Sequence, residues 1–172
     1  TLALTLFALG NSSDAFLLLR SGELGLGAVQ VVLAYALYNL VYAAASLPAG
    51  RLSDRIGRRR VLMFGWTLQG LVYLGFGFAT DGWHCFALMA AYGFAVACHE
   101  GVGKALIADT APHARRGAAL GIAFGCMGAS ALTASVVTGL LWSAYGPGVA
   151  LSLGLFTSLA ASLALPAPAT SR

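Results

Sequence analysis

Residues 50–60 read GRLSDRIGRRR, a compact charged stretch set between two long apolar segments. This stretch holds five of the ten Lys and Arg residues of a chain that is 59% hydrophobic and only 9% charged. Such a concentration of charge marks a defined place in the fold. The simplest place is a tight loop at a membrane surface, because the basic residues of membrane proteins gather in short loops on the cytoplasmic side.

The segments around this stretch are long enough to cross a bilayer. A hydrocarbon core of about 30 Å is spanned by about 20 helical residues. No Asp, Glu, Lys or Arg occurs within residues 24–50, 61–80, 82–99 or 117–171. The last run is long enough for two crossings, and Tyr145-Gly146-Pro147-Gly148 divides it, since proline lacks a backbone donor and glycine permits a turn.

We therefore predict an all-α membrane protein with six transmembrane helices. In lipid every backbone polar group must be paired internally, which favours helices. A closed β-barrel would need short segments of alternating polarity, whereas these runs are continuously apolar. The predicted spans cover residues 2–19, 26–49, 61–79, 84–107, 118–143 and 148–166.

The distribution of basic residues predicts the orientation. The charged stretch follows the second span, Arg115 and Arg116 follow the fourth, and Arg172 follows the sixth, while only Arg20 falls on the other side. We therefore expect a multi-pass protein of the bacterial inner membrane with both termini in the cytoplasm. The net charge of +4 needs no nucleic acid to explain it, and membrane lipids with anionic headgroups are the expected electrostatic partners.

Six residues of the charged stretch follow a fixed spacing: Gly50, Asp54, Arg55, Gly57, Arg59 and Arg60. The pattern is Gly, three variable residues, Asp, Arg, a variable residue, Gly, a variable residue and two basic residues. It resembles the signature of the major facilitator superfamily, which lies in the cytoplasmic loop between the second and third helices of each six-helix half. The resemblance covers essentially the whole chain, and it implies that residues 1–172 form a single six-helix half of a transporter.

The resemblance also implies a partner. Transporters of this superfamily are built from two halves around a site at the membrane midplane, so one half needs the other half or a second copy of itself. The chain begins in an apolar segment without methionine and ends in a short polar tail, residues 166–172. From this we expect the C-terminal half of a longer protein.

The charged stretch has two possible roles. Glycine at positions 50 and 57 suits a tight turn or a close approach of helices, and Asp54 suits a helix N-terminus. The resemblance makes Asp54 and Arg58 members of a charge cluster with Asp109, at the cytoplasmic end of the fourth span. This cluster would hold the two halves together in one state and release them in another. The alternative is a positive anchor at the membrane surface with no switching role.

The fourth span carries charged side chains of its own. Charged groups inside a membrane are costly when unpaired and usually face a pathway. Glu100 and Lys104 lie four residues apart, which is the spacing of an intrahelical ion pair. Such a pair is one hypothesis. The other is that Glu100 takes up and releases a proton during transport, since burial favours the protonated form of a carboxyl group. In this second hypothesis Lys104 joins the cluster around Asp54.

Polar residues in the first two spans predict a substrate or proton pathway. Asp14, with Asn11 close by, is the one carboxylate of the first span, and a cavity-facing position is favoured over a purely structural hydrogen bond. Four residues of the second span recur at helical spacing and so share a stripe that is suited to lining a cavity: Tyr35, Tyr38, Asn39 and Tyr42.

These patterns favour a secondary active transporter that moves a small-molecule substrate by alternating access, with proton-coupled efflux as the form that Glu100 suggests. A noncatalytic membrane sensor or assembly subunit with the same fold is the alternative. An intramembrane enzyme is the least favoured, since a rhomboid-type protease needs Gly-x-Ser-Gly and Gly128-Ala129-Ser130 is followed by Ala131. The pattern does not identify the substrate.

The Cys and His positions do not predict a metal site. Cys85, Cys98 and Cys126 show no paired spacing. His84 and Cys85 are separated from Cys98 and His99 by about 20 Å of helix, so they cannot share one ion within that helix. We therefore expect no metal and no cofactor.

Overall fold

The computed structural model describes residues 2–11 and 14–165, and this part of the chain is almost entirely helical. Its helices are α1 Leu2–Ala8, α2 Ala15–Glu23, α3 Ala28–Ile56, α4 Arg58–Phe78, α5 Gly82–Thr110, α6 Arg116–Tyr145 and α7 Pro147–Ala164. A short 3-10 turn, His113–Arg115, precedes α6. No strand occurs among the described residues, and the prediction of an all-α fold is confirmed.

Five helices, α3 to α7, are long and apolar enough to cross a membrane. They correspond to the second to sixth predicted spans. α3, α5 and α6 run past their predicted ends, and α4 begins before its predicted start. The end of α3, the start of α4 and the end of α5 meet at one end of the bundle. This end also carries the charged stretch, and we call it the basic end. Residue 166, the predicted end of the last span, and the predicted polar tail with Arg172 lie outside the described residues.

The first predicted span is not one continuous helix. α1 ends at Ala8 and α2 begins at Ala15, so neither piece is long enough to cross a bilayer. Gly10 in the break packs so closely on Thr157 of α7 that a Cβ would collide with its side chain. The side chains of Asn11 and Asp14, on either side of the undescribed residues 12 and 13, hydrogen-bond to α4 and α5. The prediction of a single helix over 2–19 is therefore wrong.

The charged stretch is helical on both sides of one turn residue, Gly57. Gly57 has a φ of 97°, a conformation that favours glycine, and it joins α3 directly to α4. Gly50 instead lies inside α3, and a Cβ there would meet no atom within 4 Å, so the expectation of a turn or close approach at Gly50 is wrong. Asp54 lies in the last turn of α3 and not at a helix N-terminus.

The bundle is centred on α4 and α5. α4 packs on α5 and α7, α5 also packs on α3, and α1 contacts α6 and α7. Gly93 of α5 brings this helix against the α3 backbone, since a Cβ at Gly93 would collide with the Tyr38 carbonyl oxygen. Small residues permit such close helix approach in membrane proteins. α3 and α6 leave most of their residues exposed, so their outer faces are not covered by described residues.

Candidate functional site

A cavity of about 410 Å³ lies beside the break between α1 and α2 and is walled by α3, α4, α5 and α6. We call it the central cavity. α5 supplies a stripe of residues at helical spacing, which runs from Tyr92 through His99 and Glu100 to Lys104. The polar and aromatic residues that line it are Phe7, Asn11, Asp14, Tyr38, Trp66, Tyr92, His99, Glu100, Lys104 and Phe124.

Asp14 reaches this cavity because the first span is broken beside it. Its Oδ1 accepts a hydrogen bond of 2.6 Å from the hydroxyl of Tyr92 on α5. Within residues 2–11 and 14–165, no Lys, Arg or His lies within ion-pair distance of Asp14. The carboxylate is therefore held by a neutral donor on the wall of the cavity.

Glu100 is held by two partners at once. The ammonium of Lys104 donates to its Oε1 at 2.7 Å, and the hydroxyl of Tyr42 on α3 donates to its Oε2 at 2.7 Å. The Lys104 Nζ also lies 6.0 Å from the centre of the Phe124 ring. The structure thus shows the intrahelical pair, and it places Lys104 in the central cavity and not in the cluster around Asp54.

A buried polar chain ties the first span to the middle of the bundle. Asn11 Oδ1 accepts hydrogen bonds from Gln69 Nε2 at 2.8 Å and from the Tyr73 hydroxyl at 3.0 Å. Gln69 Oε1 lies 2.5 Å from Nε2 of His99, which is only 8% exposed. Charge and composition alone do not single out Gln69 or His99. For His99 the sequence signal is helical spacing, since His99 and Tyr92 lie seven residues apart on one face of α5.

Aromatic rings form much of the cavity wall. Tyr38 stacks on Tyr92 with ring centres 5.1 Å apart, and Phe7 stacks on Trp66 at 4.9 Å. Tyr38 therefore lies where the stripe on the second span predicts it. Asn39 does not: its side chain is exposed and donates to the carbonyl of Tyr35 at 2.8 Å, so it does not line the cavity.

A charge cluster lies at the basic end. Arg58 at the start of α4 donates from Nε to Asp109 Oδ2 at 2.5 Å, and its Nη1 lies 3.4 Å from Asp54 Oδ1. The structure thus brings together the three residues that the resemblance groups, although what the cluster does is a separate question. The basic members of the motif itself are not in this cluster: Arg55, Arg59 and Arg60 form no ion pair with a described residue.

A second polar contact closes the opposite end of the bundle. Arg20 on α2 donates to the carbonyl oxygens of Phe76 at 3.1 Å and Ala79 at 3.0 Å, where α4 ends. It also pairs with Glu23 at 3.1 Å, and Glu23 accepts a bond of 3.2 Å from Trp142 Nε1 on α6. The sequence offers Arg20 only as a topology marker, because its main partners are backbone atoms.

Metal ligation finds no support in the described residues, where no three His, Cys, Asp or Glu side chains lie together. Cys85 and Cys98 are buried and Cys126 is exposed, and all three are free thiols.

Five long apolar helices define a multi-pass membrane protein. The sequence profile of the Major Facilitator Superfamily matches residues 1–172. The chain belongs to this superfamily, which points to a transporter and not to an enzyme.

Two kinds of relatives were found. An uncharacterized MFS-type transporter of Methanocaldococcus jannaschii is 36% identical over 143 residues, which is 80% of this chain and 36% of that protein. The methyl viologen resistance protein SmvA of Salmonella typhimurium is 50% identical over 48 residues, 27% of this chain and 10% of that protein. The chain thus spans about a third, or less, of the length of the curated relatives that it matches.

Proposed function

We propose that this chain is one six-span half of a proton-coupled exporter of organic cations, in which α1 and α2 together form the first span, and that it works by alternating access together with a second half. Asp14 carries the proposal. Its carboxylate lies on the wall of the central cavity, and no described basic side chain pairs with it. A carboxylate is costly at membrane depth and normally has a partner or a task. A cationic substrate supplies the missing partner.

The walls around Asp14 suit a cation with a flat apolar body. Tyr92 both hydrogen-bonds to Asp14 and stacks on Tyr38. Phe7 and Trp66 form a second stacked pair on the same cavity. Aromatic faces attract cations through the ring quadrupole, and desolvation strengthens this attraction. A volume of about 410 Å³ is typical of a site for one small molecule.

Glu100 and Lys104 make such a site sensitive to protons. Lys104 is neutralised here by Glu100 at 2.7 Å. When Glu100 takes up a proton, Lys104 keeps its charge and loses its anionic partner. Its repulsion then disfavours a cation in the same cavity. Proton and cation therefore compete, which is the requirement for exchanging one for the other across a membrane.

The direction of transport is proposed from the second relative. That protein is named for resistance to methyl viologen, a bipyridinium dication, and removal from the cell is the simplest route to resistance. The match covers only 48 residues, and it supports only the proposed direction of transport. The proposed substrate class rests on the residues that line the central cavity.

The remaining assignments follow from the positive-inside rule and from the uncovered helices. The basic end is proposed to face the cytoplasm of a bacterial inner membrane, with both termini on that side.

The second half is proposed to dock on α3 and α6. Gly121, Gly125 and Gly128 of α6 lie exposed, and a Cβ at any of them would meet no atom within 4 Å. Such a face permits close helix approach, and the Arg58 cluster at its cytoplasmic side is proposed to gate it.

The proposal is tested by measuring the uptake of methyl viologen into inside-out vesicles that contain the complete protein. A pH gradient with the acidic side inside the vesicles is the driving force. We expect the Asp14→Asn variant to lower the initial rate at least tenfold, because a charge-assisted contact contributes about 1.5–3 kcal/mol. The matched control is Asp81→Asn. Asp81 caps α5 at the other end of the bundle by accepting from Trp83 N, and asparagine caps equally well.

Each result decides something. Equal rates for the Asp14→Asn variant and the unsubstituted protein would overturn the cation site. Binding of methyl viologen without any transport by the unsubstituted protein would favour the alternative function, a membrane sensor.

A further inference from the structure

A second cavity of about 350 Å³ lies between α3 and α5 on the side of the basic end. Small residues form much of its wall: Ser46 and Gly50 on α3 face Ala97, Gly101 and Ala105 on α5. A Cβ at either Gly50 or Gly101 would meet no atom within 4 Å, so the glycines leave this space open. At about 30 Å³ for each molecule, the second cavity has room for roughly ten waters.

The two cavities meet at one hydrogen bond. Glu100 lines the central cavity and Tyr42 lines the second cavity, and no residue lines both. The Tyr42 hydroxyl donates to Glu100 Oε2 at 2.7 Å across this boundary. At its far end the second cavity reaches Asp54, whose side chain is 65% exposed. Tyr42 and the second cavity therefore connect Glu100 to the exposed Asp54 without passing through the central cavity.

We propose that the second cavity is the cytoplasmic proton path of Glu100 and that Tyr42 relays the proton across the boundary. This inference rests on the proposed function, in which Glu100 exchanges a proton during export. The protonated Glu100 gives its proton to Tyr42 Oη while the Tyr42 hydroxyl proton passes to a water in the second cavity. Glu100 becomes a carboxylate, Tyr42 stays neutral, and the hydronium formed leaves past Asp54.

The surroundings of Glu100 fit this step. The carboxylate formed is held by Lys104 at 2.7 Å and by Tyr42, which is the arrangement that the structure shows. The titratable and charged groups of the described chain around Glu100 and along the path are Lys104, His99 and Tyr92 on α5, Tyr38 and Tyr42 on α3, Asp14 across the central cavity, and Asp54 and Arg58 at the exit. Of these, Tyr42 alone lines the second cavity and also touches Glu100.

A separate proton path explains how a cation and a proton can leave the same cavity by different routes. The bound cation blocks the central cavity, while the second cavity stays open to the cytoplasm. Tyr42 is a positioning and relay residue here and not a substrate ligand, so its removal is expected to affect proton movement and not cation exchange.

The test uses the complete protein in liposomes and two readouts. The first is exchange of labelled for unlabelled methyl viologen at equal pH on both sides, which needs no net proton transfer. The second is the proton flux that a methyl viologen gradient drives, measured with a pH-sensitive dye. For Tyr42→Phe we expect exchange within about twofold of the unsubstituted protein and a driven proton flux at least tenfold slower.

Two further variants sharpen the test. Tyr35→Phe is the matched control on the same helix, because the Tyr35 ring stacks on Tyr38 and does not line the second cavity. It should leave both readouts unchanged. Gly101→Leu should fill the second cavity and slow the proton flux as Tyr42→Phe does, while exchange continues.

The outcomes separate this inference from the proposed function. An unchanged proton flux in Tyr42→Phe and Gly101→Leu, with flux lost in Glu100→Gln, would overturn the path and leave proton-coupled export standing. Loss of exchange together with proton flux in Tyr42→Phe would assign Tyr42 to the substrate site and would also overturn the path. Absence of driven proton flux in the unsubstituted protein would overturn both proposals.

Discussion

Arg58 and Asp109 join two helices at the basic end, with Arg58 Nε 2.5 Å from Asp109 Oδ2. The same guanidinium reaches Asp54 at 3.4 Å, so one side chain links the start of α4 to the ends of α3 and α5. Arginine suits this position because its planar fork offers several fixed donors. The Arg58 side chain is 26% exposed and that of Asp109 is 53% exposed, so solvent screens the pair in part.

We predict that Arg58→Gln and Asp109→Asn each lower the free energy of unfolding by about 1 kcal/mol, the upper part of the range for partly exposed ion pairs. Because both variants break the same contact, the double variant should lose little more than either single one. Unfolding in detergent with denaturant measures all three. Arg55→Gln is the control, since Arg55 is exposed and pairs with no described residue. Additive losses in the double variant would contradict a direct pairing.

One member of this cluster, Asp54, occupies a fixed position of the family motif, whereas Arg58 fills a variable position and Asp109 lies on α5, outside the motif. The resemblance to the family, and not the spacing of the motif, groups these three residues. The position of Lys104 does not follow from that motif. Lys104 is one helical turn from Glu100 on the same face, and this local contact at 2.7 Å is made within a single helix. A contact with Asp54 would require the Lys104 side chain to cross to α3.

The five long helices are readable in the sequence because membrane depth demands uninterrupted apolar length. The break in the first span is not, since its composition is nearly as apolar as that of the other spans. What ends α1 is tertiary: Gly10 packs against Thr157, and the side chains of Asn11 and Asp14 bond to α4 and α5. Asp14 could be named from its charge alone, whereas Tyr92, its donor, needs the helix packing to be known.

Gly57 and Gly50 belong to the same motif and should respond oppositely to alanine. Gly57 has a φ of 97°, which an L residue rarely adopts, so Gly57→Ala should cost about 1–3 kcal/mol of unfolding free energy. Gly50 is helical with open space around it, so Gly50→Ala should be neutral or stabilise by up to about 1 kcal/mol. Thermal unfolding of both variants in the same detergent compares them. Equal destabilisation would show that Gly50 has a role that its local geometry does not reveal.

The pH dependence of cation binding provides the sharpest check on Glu100 and Lys104. In the proposed mechanism, Glu100 is a carboxylate when a cation binds, and it neutralises Lys104. Acidification protonates Glu100 and leaves the Lys104 charge uncompensated in the cavity. Binding of methyl viologen to the purified protein should therefore weaken as the pH falls, by about fivefold if the added repulsion is about 1 kcal/mol.

Glu100→Gln imitates the protonated state, so this variant should bind methyl viologen weakly at every pH and lose most of the pH dependence. Lys104→Met in the same background removes the uncompensated charge and keeps an unbranched side chain that is one heavy atom shorter. The double variant, Glu100→Gln with Lys104→Met, should therefore recover affinity close to that of the unsubstituted protein at high pH, with Asp14 still binding the cation. Weak binding by the double variant would mean that Glu100 contacts the cation directly and that its pairing with Lys104 is not what links proton to substrate.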